Sequence, residues 1–209
     1  ERLIGQVGGQ TVAPEPGARA AVGQTTVTAP GFWCRAEAPA ARLLEHRAGD
    51  HRQVLVGAAA ARGPTSDTSE LLARLQPDRA ERLAGLGGEY ALVHHDASRG
   101  ELLLATDHFG TLPVYYFSKG AALVFGTDLD WVSRQLPQGR RLNNQAVYDY
   151  LFYSVLTSER CIYEGIEKLP PGSALTLKVA PLSTAMLGVA REAFVPRINW
   201  PALIVVGPV

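Results

Sequence analysis

Four short apolar runs between residues 90 and 125 constrain this chain more than any other feature. They are Tyr90-Ala91-Leu92-Val93, Glu101-Leu102-Leu103-Leu104-Ala105, Val114-Tyr115-Tyr116-Phe117 and Ala122-Leu123-Val124-Phe125. Each is too short for an ordinary helix, and Ser98-Arg99-Gly100 and Ser118-Lys119-Gly120 punctuate them as hairpin turns. The pattern predicts an antiparallel meander. Upstream, the first sixty residues are rich in Ala, Gly, Pro and Thr and read as short strands linked by turns, with residues 53–57 a buried strand ending at Gly57. Residues 65–76 predict a short helix that stops before Pro77, capped by one of Ser66, Asp67, Thr68 or Ser69. Downstream, residues 128–136 and 143–156 predict two helices. Asn143 caps the second, which carries Val147, Tyr150, Leu151 and Ser154 on one side, so both helices are expected to cover one sheet face. A turn at residues 167–172 leads into a last strand at 173–178. Strands followed by helices indicate a layered α+β fold.

Charge narrows the function. Lys plus Arg and Asp plus Glu each number 20, so no basic excess exists to neutralise phosphates, which argues against nucleic acid and anionic membranes as partners. The late apolar run at residues 202–206 is far shorter than the roughly 20 residues that cross a bilayer, and a cytoplasmic location is expected. Cys34 and Cys161 lie 127 positions apart and form no CxxC pair or disulfide framework, so both read as buried thiols. Neither a GxGxxG nor a GxxxxGK[ST] phosphate loop occurs. His94-His95-Asp96 is the most suggestive polar cluster. On a strand, however, its two imidazoles point to opposite faces and cannot share a metal, so the segment reads as a strand end turning outward. Asp107-His108 lacks a third ligand, and no metal site is expected. The aromatic residues Tyr115, Tyr116, Phe117 and Phe125 read as sheet packing.

Several segments, taken together, resemble a known family. Leu86-Gly87-Gly88-Glu89-Tyr90-Ala91-Leu92-Val93-His94-His95-Asp96 is similar to the LxGxFAFALxD strand of the class II glutamine amidotransferase domain of asparagine synthases. Asp107-His108-Phe109-Gly110-Thr111-Leu112-Pro113-Val114-Tyr115-Tyr116 resembles its DxxGxxPLYY hairpin, and Thr127-Asp128 stands where the next strand ends in Ser-Glu. The stretch from Ile162 through Gly172 resembles the IxxGIxxLPPG exit. The resemblance spans residues 3–178 and implies an N-terminal nucleophile (Ntn) type fold, a four-layer α/β/β/α sandwich. Residues 1–178 are then the amidotransferase-like domain and 179–209 a tail or truncated linker.

The departures from the family are as informative. Active members begin CGIxG and use the cysteine as nucleophile and its free amine as base. Here the segment is Ile4-Gly5-Gln6-Val7-Gly8, and Ile4 has no lone pair to attack an amide. The family's NGE signature, which holds glutamine and builds the oxyanion hole, is replaced by Val56-Gly57-Ala58, leaving only the Gly57 backbone as a donor. Thr65-Ser66-Asp67-Thr68-Ser69-Glu70 resembles the TxSDxE helix start, whose aspartate takes the substrate's α-amino group. Asp67 and Gly57 would thus line a vestigial glutamine pocket, with Arg35 as candidate for the glutamine-carboxylate arginine. The resemblance implies a domain without glutaminase activity that braces an ATP-dependent amide-forming ligase, as in relatives resembling β-lactam synthetases and lasso-peptide cyclases. The alternatives are a fragment of a glutamine-hydrolysing asparagine synthase and a free-standing binding module. The expected partner is an ATP-pyrophosphatase ligase domain, in cis or encoded downstream, with a second copy of the chain as the remaining candidate. This chain itself requires no cofactor, and ATP and Mg belong to the missing ligase domain.

Overall fold

The computed structural model describes residues 1–7, 23–29, 32–61, 72, 80–119, 122–156, 160–178 and 189–193. The described strands form two six-stranded sheets. The first contains β1 (Arg2–Val7), β2 (Gly23–Ala29), β3 (Phe32–Ala38), β8 (Tyr115–Lys119), β9 (Ala122–Gly126) and the two-residue β10 (Glu167–Lys168), in the order β10-β8-β9-β1-β3-β2. The second contains β4 (Leu43–Ala48), β5 (His51–Ala61), β6 (Leu86–Asp96), β7 (Glu101–Thr106), β11 (Ser173–Lys178) and β12 (Val189–Ala193), in the order β12-β11-β7-β6-β5-β4. All of these pairings are antiparallel.

Side-chain alternation separates the layers. Leu3, Phe32, Cys34 and Phe125 of the first sheet meet Val54, Val93, Leu104 and Leu175 of the second in one buried core between the sheets. On the outer face of the first sheet, Phe117 and Val124 pack with Val132, Leu136, Cys161 and Ile166. Helix α1 (Leu129–Arg134) lies here, and a second helix, α2 (Asn144–Tyr153), follows it, its N-cap Asn143 N–H donating to the Ile162 carbonyl. On the outer face of the second sheet, Leu55, Tyr90, Leu92 and Leu103 pack against Leu72 and Leu83, the latter in a 3-10 turn at Ala80–Gly85. The Ntn-type α+β sandwich expected from the resemblance is the fold observed.

Three expectations change. The four apolar runs do not make one meander: β6 and β7 pair in the second sheet, β8 and β9 in the first, and the neighbours of β7 are β6 and β11. The segment from Asp107 to Val114 carries the chain from one sheet to the other. In α2 the residues taken to face the sheet are not the buried ones. Ala146 and Asp149 are buried, whereas Tyr150 and Leu151 are exposed, because the helix meets the fold through its first two turns and an Asp149–Arg160 ion pair (2.8 Å). Finally, β12 adds an edge strand to β11, so the second sheet continues past Lys178. The Asn143 cap agrees with the sequence, its Oδ1 accepting from the Ala146 N–H at 3.2 Å, and the structure adds an Asp128 cap on α1, its Oδ1 accepting from the Trp131 N–H at 3.0 Å.

Candidate functional site

The Val56-Gly57-Ala58 segment lies on β5 where it runs against β6. Gly57 is opposite Tyr90 and has φ +123°, while Gly88, opposite Ala59, has φ +92°. A Cβ on Gly57 would overlap the Glu89 carbonyl oxygen, and one on Gly88 would overlap that of Ala58. Each glycine thus makes room for the other strand's backbone, and only glycine combines this close approach with positive φ. Val56 points into the core between the sheets, and Ala58 is exposed.

Beside this crossing is a charged clasp that the sequence did not reveal. Arg42, at the end of a short 3-10 turn, places Nε 2.6 Å from Glu1 Oε1 and donates from Nη2 to Glu89 Oε2 at 2.8 Å. It links the start of the first sheet's β1 to β6 of the second. No motif surrounds Arg42, and pairings between residues so far apart leave no local trace.

Ile4 sits mid-strand in β1 between Arg35 on β3 and Gly126 on β9, and is 3% exposed. Its neighbour Leu3 faces the core between the sheets, so Ile4 faces the outer, helix-bearing side of the first sheet. Arg35, directly opposite and buried, shares that face, with Nε 3.5 Å from Thr26 Oγ1. The structure therefore joins Ile4 with Arg35 and places Gly57 on the other sheet. Asp67, with the whole 65–70 segment, lies outside the described residues.

Asp107 organises the crossing between the sheets. It is fully buried, and its carboxylate accepts from the backbone N–H of Phe109 (2.9 Å), Leu112 (3.3 Å) and Tyr90 (3.4 Å) and from Thr111 Oγ1 (3.2 Å). Its own carbonyl accepts from Gly110 N at 3.0 Å and Gly172 N at 2.8 Å, which docks the LPPG turn onto the hairpin. Thr127 joins β1 to the end of β9, its hydroxyl accepting from Leu3 N at 2.9 Å. These family-like residues act as scaffold.

His94-His95-Asp96 is not an outward-turning strand end: the three residues are 0%, 3% and 1% exposed. His95 enters the space between the sheets and stacks on Phe32 with ring centroids 4.3 Å apart. His94, on the opposite face, lies 3.3 Å (Nε2) from His51 Nδ1 and 3.5 Å (Nδ1) from Gln53 Nε2. The expectation failed because strand ends are polar when wet, whereas β5 and β7 flank this one along its full length. Among the described residues no group of three or more His, Cys, Asp or Glu is arranged to hold a metal ion. His108 packs edge-on against the exposed ring of Phe109.

Burial holds both imidazoles neutral, lowering each to about 4. For His94, burial is reinforced by His51, His95 and His46 and opposed by Asp96. For His95, burial is opposed by Asp96 and reinforced by Arg52. Burial alone would raise Asp96, but hydrogen bonds from Ser98 Oγ, Arg99 N and Ser98 N, together with His51, bring it below the usual carboxylate range. As pH falls from about 6.5 to about 4, the unfolded chain takes up protons that the folded chain refuses. Stability is therefore full above that window and lost within it, by on the order of 3 kcal/mol per histidine. Denaturant titrations at pH 7 and pH 4.5 should show the loss, and His95→Phe, which keeps the ring stack, should reduce it. An equal loss in the variant would contradict this assignment.

Both thiols are buried. Cys34 lies in the core between the sheets and Cys161 in the cluster beside α1, and burial raises each above the ordinary thiol range, which suppresses the nucleophilic thiolate.

The sandwich, with its glycine crossing and crossover hairpin, defines a layered α+β protein built on two stacked antiparallel sheets. The profile of the glutamine amidotransferase domain matches residues 42–186, and the chain belongs to that family. Among solved structures, it is similar to the glutamine phosphoribosylpyrophosphate amidotransferase from B. subtilis complexed with ADP and GMP, at 16% identity, covering 78% of this chain and 35% of that one, with TM-score 0.44. It is also similar to a structure described as the allosteric regulatory enzyme of purine biosynthesis, at 16% identity, covering 81% and 36%, with TM-score 0.46. The chain spans about a third of the length of both. No curated protein sequence matches it.

Proposed function

We propose that this chain is a glutaminase-inactive amidotransferase-like domain of an asparagine-synthase-related, ATP-dependent amide-forming ligase. The observation that carries the reading is the residue at the position that the sequence resemblance gives to the nucleophile: Ile4, a buried aliphatic side chain paired on both sides in the sheet. A thioester with glutamine needs a thiolate, and a hydrocarbon supplies none. Val56 and Ala58, in place of the NGE amide and carboxylate, support the same reading, as do the two thiols held protonated in cores. Gly57, Asp67 and Arg35 are the remnants of the glutamine pocket. The ligase partner is an ATP-pyrophosphatase domain, in cis or encoded downstream, which brings ATP and Mg.

The purified chain should release no ammonia from glutamine above the uncatalysed background, and Cys34→Ala and Cys161→Ala should leave that result unchanged. Turnover abolished by either substitution would assign a nucleophile to a thiol placed here in a core and would overturn the proposal. Turnover surviving both would overturn it too. For the ligase link, the coding sequence that follows should contain an SGGxDS pyrophosphate loop, and an unrelated gene there would favour a free-standing module.

A further inference from the structure

Three imidazoles share the outer face of the second sheet, spread over three neighbouring strands. His46 on β4 is opposite Gln53 on β5, which is opposite His94 on β6. His51 of β5 turns to the same side, its Nδ1 3.3 Å from His94 Nε2 and its ring edge-on to that of His94 at 5.4 Å. Their counter-charges differ. His51 has Asp96, whose Oδ2 is 3.6 Å from its Nδ1 and whose other oxygen is held by Ser98 and the Arg99 N–H. His46 has none: its Nε2 is buried, and among the described residues nothing bonds to it. Glu45 and Arg47 alternate to the opposite face of β4, where Glu45 bonds Thr25 and Arg47. The carboxylates at this end of the outer face are Asp96 and, opposite it on β7, Glu101, which is three strands away from β4.

We propose that β4 is an acid-released edge strand: proton uptake by His46, beside His51 and His94, detaches Leu43–Ala48 from β5 while the rest of the sheet stays paired. The device is independent of the proposed function. A neutral imidazole carries one N–H and a protonated one carries two, so a charged His46 puts an N–H on Nε2, where the folded strand offers neither an acceptor nor a counter-ion. The neighbouring ring gives no relief, because burial and then His51 already disfavour a charge on His94, and His46 adds to both. Asp96 neutralises His51, which keeps the start of β5 in place. Sheet order then decides which strand leaves. β5 and β6 are paired on both sides, whereas β4 is at the edge and pairs with β5 alone. Its release brings His46 Nε2 to water and leaves β5 as the new edge, a local opening that costs less than unfolding the core.

Hydrogen-exchange protection factors of the full chain, compared at pH 7 and pH 5, span the range in which imidazoles change charge. Protection in β4 should fall at least about tenfold more than in β6 and β7. Protection factors already remove the pH dependence of the chemical exchange rate, so the difference reports opening of the strand. His46→Gln and His46→Asn stay neutral at both pH values and sit at a half-buried edge position, and both should keep β4 protected at pH 5. Glu45→Gln removes the carboxylate on the other face of β4 and should leave the contrast between the two pH values in place. A wild-type β4 as protected at pH 5 as at pH 7, a loss shared equally by β6 and β7, a loss that persists in both His46 variants, or a contrast abolished by Glu45→Gln would each overturn the proposal.

Discussion

Replacing Gly57 by alanine should cost about 3–5 kcal/mol, a large part of the 5–15 kcal/mol that holds an ordinary domain folded. Two separate penalties coincide at this position. The backbone is at φ +123°, which L side chains rarely adopt, and the new methyl group would overlap the Glu89 carbonyl oxygen, part of a neighbouring strand that cannot swing aside. Gly88→Ala should behave alike, since its methyl would meet the Ala58 carbonyl. Gly49 and Gly139 isolate the conformational part. They have φ +54° and +73° with nothing near the absent Cβ, so alanine there should cost only about 1 kcal/mol. Chemical denaturation of the four variants tests the argument, and a Gly57→Ala variant as stable as Gly49→Ala would mean that β5 and β6 do not cross this closely. The consequence bears on function as well: strand packing alone requires glycine at position 57, between Val56 and Ala58.

Asp107→Ala should destabilise by about 2–4 kcal/mol, because it leaves the buried Tyr90 N–H and the part-buried N–H groups of Phe109 and Leu112 and the Thr111 hydroxyl without their acceptor, at roughly 1–3 kcal/mol for each group that water cannot reach. Asp107→Asn should cost less than alanine. The amide oxygen can keep the Phe109 and Thr111 bonds at the Oδ1 position, but its NH2 would then face the N–H groups of Leu112 and Tyr90. The damage should concentrate at the chain's passage between the sheets. Hydrogen exchange should therefore show lost protection first at residues 107–117 and at the docked turn around Gly172. Equal stability of the alanine variant and the wild type would show that the turn is held by Pro113 and Gly110 alone.

Much of the fold can be read without coordinates, and the reason is local. Alternation and turn chemistry placed β6, β7, β8 and β9 because those signals depend on residues within a few positions of each other. Asn143 announced its helix because a cap is made within three residues. The departures at Ile4, Val56 and Ala58 are also properties of the sequence alone, since no fold gives a hydrocarbon side chain a lone pair.

What only the tertiary structure decided concerns faces and partners. Periodicity reports which side chains share a side, but not what that side meets. It grouped Tyr150 and Leu151 with the core, yet α2 touches the fold through Ala146 and Asp149. A polar triplet at a strand end is read as wet, yet flanking strands bury His94, His95 and Asp96, and the desolvation that lowers both imidazoles follows from that burial. The division of the four runs between two sheets depends on Asp107, just past the end of β7, whose carboxylate gathers donors from β6 and from the crossover while its carbonyl accepts from Gly172 N–H. Likewise the reciprocal approach of Gly57 and Gly88, and the Glu1–Arg42–Glu89 clasp, join residues 31 to 47 or more positions apart. Such contacts form because the sheets pack, and the free energy that selects them is spread over the whole core, so no single segment carries their signature.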